Sequence, residues 1–463
     1  MVETNDIAQL KAMILAQQEE ITTLRGVIAG LEARLSLNST NSHKPSSTDG
    51  YAKKPLIKPA LPKQEGRKVG GQLGHTGKTL QIVSHPDAIE QHRATSCPDC
   101  GTNLTQPAAE QIVARRQVFE LPQPRLLVTE HQLLQTHCQC GCIVVGQFRA
   151  TVLAPVQYGS RVLALSSLLN VHYRIPFGKI SQLMSDLFGY RFNESSATTA
   201  NTHLYERLNP IEAQIRTALT QSEVVHADET GLRVAGKLHW VHVACTVLLT
   251  YLFVHPKRGK KAIESAQSPL LDCVKWLIHD CWQSYFPLTK ARHGLCGAHL
   301  VRELQALVEQ GSKWAQQMQT FLLDLYKATR QGPIELTQHP QWQVRYEAIC
   351  QEGFGQEPPP AARSGGKPKQ SKGRNLLNRL VLHQASVLAF GFELGVPFSN
   401  NQAERDLRPV KTKQKVSGCF RTKVGADEYA RIAGFVSTMR KNEQDVLAQL
   451  TNIFSGSFTW RPT

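Results

Sequence analysis

Three acidic stretches far apart in the chain carry the residues best suited to chemistry. An acid pair, Asp228-Glu229, lies in VVHADETGLRVAGKLHWVHVACT at 224–246. Asp280 follows an apolar run at 274–279, and Glu404 lies in NNQAERDLRP at 400–409. Aspartates on neighbouring strands and a glutamate on a helix suit a two-metal phosphoryl-transfer site. Two divalent cations about 4 Å apart clamp the attacking and leaving oxygens, and carboxylates must hold them. Taken alone, Glu404 also reads as an i,i+4 partner of Arg408 on an exposed helix.

The elements around these acids are legible from pattern. A short β-rich run delivers the acid pair, Gly231 and Ala235-Gly236-Lys237 supply bends, and β runs follow at 238–243 and 250–255. A helix at 260–266 leads to a strand at 274–279 that ends on Asp280. Strand alternation sends Asp228 and Glu229 to opposite faces, so only one can join Asp280. Asn400 is placed to cap the helix carrying Glu404. On that helix Arg405 and Arg408 share the exposed side, and Lys411, Lys413 and Lys415 follow, a basic run facing DNA phosphates.

The composition agrees. The 463 residues carry a formal net charge of +16 and a pI of about 9.4. Such a balance argues for a polyanionic partner, nucleic acid before an anionic membrane, against a merely basic enzyme. Residues 1–10 hold two acids and no apolar core of an export signal. The longest nearly apolar run, 241–254, contains His242. It falls short of the ~20 residues a membrane span needs. Eleven cysteines without an export signal argue against disulfides, and five crowd into 97–142.

That crowding is C-P-D-C-G at 97–101 and C-Q-C-G-C at 138–142. Tetrahedral zinc needs four thiolates or imidazoles, and two knuckles around a β-rich stretch read as a zinc ribbon. Cys97, Cys100, Cys138 and Cys140 are the assigned ligands, with Cys142 as the alternative fourth. The competing reading is unpaired buried cysteines.

At the N-terminus Ile7, Ile14, Ile21, Ile28 and Leu35 share one heptad position, and Leu10, Gln17, Leu24 and Leu31 another. Isoleucine at a with leucine at d favours a parallel two-stranded coiled coil, in which Gln17 fixes register. The alternative is an amphipathic helix packed on its own domain. Residues 37–77 are polar, and Lys44, Lys53, Lys54, Lys58, Lys63, Arg67 and Lys68 outnumber Asp49 and Glu65. This is a linker that could track a phosphate backbone. Helices at 162–171, 177–187 and 196–208, with Gly189 between the last two, read as a helix-turn-helix or as a plain helical connector.

HADETGL, HDCWQSYF, LCGAHLVREL and NNQAERDLRP occur in this order, with NSTNSHKPSSTDG and GGQLGHTGKTL upstream. Together they resemble the DDE-type transposases of the insertion sequence sixty-six family (the transposase C type) over nearly the whole chain. The resemblance implies a multidomain α/β protein with a ribonuclease-H-like catalytic core. It selects Asp228, Asp280 and Glu404 as the acids that bind Mg²⁺ or Mn²⁺, leaving Glu229 structural or solvent-facing. It implies the zinc-binding region, and casts Cys296 and His299 as support for the acidic site, although C-x-x-H alone also reads as half a zinc site. The expected reaction is metal-dependent cleavage at transposon ends and strand transfer into target DNA. A non-catalytic zinc-containing DNA-binding repressor is the alternative, and a plain metal nuclease would share the site without needing the coiled coil.

The implied partners are double-stranded DNA, a second copy of the chain or a higher assembly, and small accessory proteins of the same element. No membrane is implied, and the expected location is the bacterial cytoplasm, at the nucleoid. Asp280 and Glu404 lie 124 residues apart, too far for a minimal core, so a helical insertion is expected at about 296–395. The expected domains are a coiled-coil segment at 1–37, a basic linker at 38–84, a zinc domain at 85–155 and a helical DNA-binding region at 156–215. The catalytic domain at 216–420 and a C-terminal helical extension at 421–463 complete the chain.

Overall fold

The computed structural model describes residues 2–38, 41–42, 79–105, 111–360 and 370–460. Lys44 to Lys68 of the basic linker, and Lys367 and Lys369 of the Pro- and Gly-rich loop, lie outside the described residues. The chain divides into two units, residues 1–62, 130–186 and 190–463 in one, and 63–129 and 187–189 in the other.

The smaller unit has no helix or strand of its own among its described residues before 129. Its ordered feature is the turn at Cys97. Cys97 N–H donates to Thr102 O and Gly101 N–H to Cys97 O, each at 2.9 Å, with Gly101 at φ 73°.

In the larger unit α1 (Val2–Leu35) is one continuous helix. Its Leu10, Ile14, Ile21, Leu24, Ile28 and Leu31 are all about half exposed or more. A short hairpin, β1 (Gln135–His137) and β2 (Ile143–Val145), pairs antiparallel across the second cysteine cluster. Four helices follow, α2 (Ser160–Val171), α3 (Phe177–Phe188), α4 (Glu194–Arg207) and α5 (Asn209–Gln221). The fourth was not expected as a separate helix; Pro210 at its first turn starts it directly after α4. α4 buries Ala197, Ala200, Asn201 and Leu204. It packs against α2, α13 (Lys423–Lys441) and α14 (Val446–Ser455). Its Arg207 is committed to the Ile453 and Phe454 carbonyls, and its exposed acids are Glu194 and Glu206.

The centre is a five-stranded sheet of β3 (Val224–Val234), β4 (Lys237–Cys245), β5 (Thr250–His255), β6 (Trp276–His279) and β7 (Arg292–Leu295). Its order is β5-β4-β3-β6-β7. The first three strands form an antiparallel meander, while β6 pairs parallel to β3, and β7 parallel to β6. Gly231 is not a bend: β3 runs through it, paired with Trp240. The turn comes at Ala235 (φ 47°) and Gly236 (φ 76°), a two-residue loop with both residues left-handed, as strand twist requires. The helix after β5 is one turn, α6 (Lys260–Ile263). β7 escapes a pattern search because Arg-His-Gly-Leu has no alternation.

The insertion between β7 and the Glu404 helix is helical, as its length demands. It comprises α7 (Gly297–Val308), α8 (Lys313–Ala328), α9 (His339–Gln356), α10 (Lys372–Leu382) and α11 (Gln384–Phe392). It has its own core around Trp314, Phe321, Tyr346 and Leu377, joined to the sheet through Ile278 and Leu295. A second core links the sheet to α2, α4, α5, α12 (Asn401–Ser417), α13 and α14. The last two helices are therefore part of the main body rather than an appendage.

One core histidine gives a pH dependence. His242, 1 % exposed, stacks on Phe253 and has its Nε2 3.2 Å from Lys257 O. Burial lowers its pKa from 6.5 to about 4. The unfolded chain therefore takes up this proton first. The contribution is complete above about pH 6.5 and is lost as pH falls toward 4. At one pKa unit per ~1.4 kcal/mol, the loss is up to about 3 kcal/mol. Denaturant titrations from pH 7 to 4 should show this slope in the wild type and a shallower one in His242→Gln; equal slopes would refute the assignment.

Candidate metal and DNA site

Asp228 and His226, two residues apart on β3, share one face of the sheet. The start of α12 docks on that face. His226 Nδ1 donates to Asn400 Oδ1 at 2.9 Å, and Asn400 Nδ2 donates to Ala227 O at 2.8 Å. Asn400 occupies the N-cap position but makes no side-chain cap. The expected capping role is thus replaced by a tie that fixes the Glu404 helix to the strand carrying Asp228. Its backbone N–H donates to Cys296 Sγ at 3.1 Å, and Gly297 N–H to Phe398 O at 2.8 Å. A Cβ on Gly297 would overlap the Phe398 ring, so the close approach of these two segments needs glycine.

Through these ties the C-x-x-H element reaches Glu404. Glu404 Oε1 lies 3.3 Å from an Arg302 Nη and 3.7 Å from His299 Nε2. Its ion-pair partner is therefore Arg302 on α7, not Arg408 one turn along its own helix. Cys296 Sγ, a His299 ring nitrogen and a Glu404 oxygen lie within 4.8 Å of one another, a grouping that could hold a metal ion. The Cys296 thiol is buried and, with no metal bound, pushed up to about 11 by that burial. By accepting the Asn400 N–H, the Cys296 Sγ joins the starts of α7 and α12.

Asp228 is flanked by acids. Burial raises its carboxyl pKa well above the ordinary value, and the charges of Glu229, Asp280 and Glu404 push in the same direction. The three acids selected by the resemblance therefore share one electrostatic neighbourhood. Asp280, directly after β6, accepts from Trp282 N–H at 3.1 Å. Glu229 faces the other way and is buried, not solvent-facing. Arg258 Nε donates to it at 2.7 Å, the Tyr285 hydroxyl donates to its other oxygen, and the Arg258 guanidinium lies over the Trp282 ring.

The basic run of α12 divides. Arg405, Arg408, Lys411 and Lys415 are exposed, with Lys411 Nζ donating to Gly231 O at 3.0 Å. Lys413 is only 9 % exposed and lies on the inner side of the helix. The expectation that it faces DNA is corrected: a period of 3.6 residues turns it inward between Lys411 and Lys415. Arg302 was not foreseen, although its place three residues after His299 on one helix face was available as a signal.

The cysteine clusters are each ordered locally. The Cys100 thiol is lowered to about 7, first by its hydrogen bond to the Thr102 hydroxyl, with Cys97 adding to the effect. The Cys140 thiol is lowered to about 7, first by the Cys142 backbone and then by Cys138. Five thiols in these two clusters are free and none is buried, which removes the reading of them as buried core cysteines.

Residues 155–428, more than half of the chain, match the family model described as Transposase IS66 family. Residues 94–141 match the zinc-finger binding domain of transposase IS66, and residues 3–81 a family of unknown function, DUF6444. The zinc-finger match encloses Cys97, Cys100, Cys138 and Cys140 and ends one residue before Cys142. A search of the curated proteins found no match.

Proposed function

Because the chain belongs to the IS66 family of transposases, we propose that it cleaves DNA at transposon ends and joins the freed strand to target DNA. The observation that carries this reading is the acid neighbourhood of Asp228. A half-buried carboxylate beside three like charges is poorly stable without a counter-cation, and that donor set fits divalent metal. Asp228, Asp280 and Glu404 would hold it. Mg²⁺ or Mn²⁺ bound there supplies an activated nucleophile and charge stabilisation at the phosphate. A pair of ions does not require all three carboxylates to converge on one point.

The sheet supports a ribonuclease-H-like core. An antiparallel three-stranded meander followed by two parallel strands places Asp228 on the central strand and Asp280 at the end of its neighbour. His299 and Arg302 orient Glu404, and the Cys296 thiol clasps the two helix starts. Arg405, Arg408, Lys411 and Lys415 present positive charge to the DNA backbone on the helix that carries Glu404.

DNA binding tests the charge reading. Affinity for a duplex carrying the element's ends should fall steeply with salt, because each neutralised phosphate releases counterions. Arg408→Gln should reduce the slope of log K against log salt by about 1. A flat salt dependence of the wild type would show that the positive face is not the DNA face. At the other end of the chain, the half-exposed Ile/Leu seam of α1 is the reason to expect a parallel helix pair. Light scattering on a peptide of residues 1–40 should give a dimer, and a monomer at high micromolar concentration would refute the pairing.

A further inference from the structure

Behind α12 lies a cavity of about 340 Å³, lined by residues of α12, α13, β5 and the segment that follows α2. Three arginines reach it: Arg174 after α2, Arg405 on α12 and Arg440 on α13. Among the described residues none of the three is ion-paired. The fourth cation, Lys441, is already committed. Its Nζ donates to Asp406 Oδ2 at 2.6 Å and to the Thr246 and Leu249 carbonyls at 2.8 and 2.9 Å. The Lys441–Asp406 pair is neutral in sum, so the cavity keeps the charge of the three guanidinium groups.

One buried polar atom beside the cavity, Arg174 Nε, lacks a hydrogen-bond partner. The Tyr429 hydroxyl is its neighbour: burial pushes the phenol up to about 12, and the Arg174 charge and a side-chain hydrogen bond with Arg174 oppose that rise. Buried donors without acceptors are costly and call for a missing acceptor. Arg174 is also held at φ 64°, in the left-handed region that a side-chain-bearing residue seldom adopts. The segment is locked there. Asn170 Nδ2 donates to Ile175 O and Asn201 Nδ2 to Asn170 Oδ1, both at 3.0 Å. His172 at the same cavity is held neutral, its pKa lowered to about 4 by burial and then by Arg440 and Arg174. The buried Lys413 also feels the Arg174 charge. Convergent cations, an unmet donor and a strained, locked arginine describe a pocket shaped for an anion.

We propose that this cavity binds a backbone phosphate of the DNA strand, seated between Arg174, Arg405 and Arg440. The choice of DNA rests on the reading under Proposed function; the choice of phosphate does not. Arg405 is adjacent to Glu404 on α12, so a phosphate held here fixes the strand one helical step from the acid site. Guanidinium forks match tetrahedral oxyanions and hold them in one orientation, which point charges on lysine do not. The pocket would then set which phosphate of the strand lies at the acids.

The test uses the full chain and inorganic phosphate as probe. Phosphate at ~50 mM should raise the melting temperature above that in chloride of equal ionic strength, because it binds only the folded state. Arg440→Gln and Arg174→Gly should lose this shift. The glycine variant suits φ 64° and so removes the charge without adding strain. Each variant should also weaken binding to the end duplex roughly tenfold and lower its salt slope by about 1. Two results would overturn the proposal: phosphate no better than chloride for the wild type, or both variants binding DNA as the wild type does. If phosphate stabilised the wild type but the variants kept full DNA affinity, the occupant would be a free phosphate and not DNA. Failure of the acid-site reading looks different: Glu404→Gln would still cut DNA while the phosphate shift stayed intact.

Discussion

Asp228→Asn, Asp280→Asn and Glu404→Gln should each abolish strand cleavage on DNA carrying the element's ends. The expected loss is roughly three orders of magnitude or more, since a missing carboxylate removes both metal binding and the charge stabilisation it brings. The double variants should be no worse than the singles, because the three acids act as one unit. Folding provides the check that chemistry is being read. Asp228 is half-buried in the field of Glu229, Asp280 and Glu404, so Asp228→Asn removes a like charge and should melt no lower than the wild type without metal. Mg²⁺ should raise the wild-type melting temperature and leave Asp228→Asn unmoved.

Glu229→Gln is the internal control. Glu229 points away from the acids into a pair with Arg258 and Tyr285. Its loss should lower stability by less than the ~3–5 kcal/mol of a fully buried pair, because the Arg258 side chain is 35 % exposed, yet leave cleavage intact below the new melting point. A dead Glu229→Gln beside an active Glu404→Gln would sink the assignment of the third acid.

How much of this was legible in the sequence depends on whether the signal was local. The strands and the helix that carry the acids were legible because each acid sits in a distinctive stretch, and strand alternation does send Asp228 and Glu229 to opposite faces. The helical insertion was legible from distance alone. The clasp between Cys296 and Asn400 was not, because it joins residues 104 positions apart and each has a local use that reads more simply. Asn400 looks like a cap, and becomes a docking residue only once β3 is packed against α12. Gly231 looks like a break, but both neighbours of β3 hold it in the ladder. Lys413 looks like its exposed neighbours, and the helix turns it inward. In each case tertiary packing decides between two locally acceptable roles, and a single sequence records only the local part.

Zinc should prove a condition of folding for the region that contains the cysteine clusters. Among the described residues from 79 to 159 none is buried, although Leu80, Ile82, Val118, Phe119, Leu127, Val144 and Phe148 are there to form a core. A segment without a core cannot offset its conformational entropy by apolar burial. A structural zinc site contributes about 10–16 kcal/mol in small domains, enough to supply the deficit. The local hydrogen bonds that lower the Cys100 and Cys140 thiols to about 7 favour the thiolates that such a site needs. Elemental analysis of the full chain, purified without chelator, should therefore give about one zinc per chain. Chelation should expose the region to protease and leave the sheet and its helices folded. Affinity should fall in acid, because each ligand must lose its proton. Cys97→Ser, Cys100→Ser, Cys138→Ser and Cys140→Ser should each lose the metal, whereas Cys142→Ser should keep it. Retention by Cys140→Ser with loss by Cys142→Ser would move the fourth ligand two residues on. A chain that carries no zinc and resists protease in this region would leave the cysteines without a metal role.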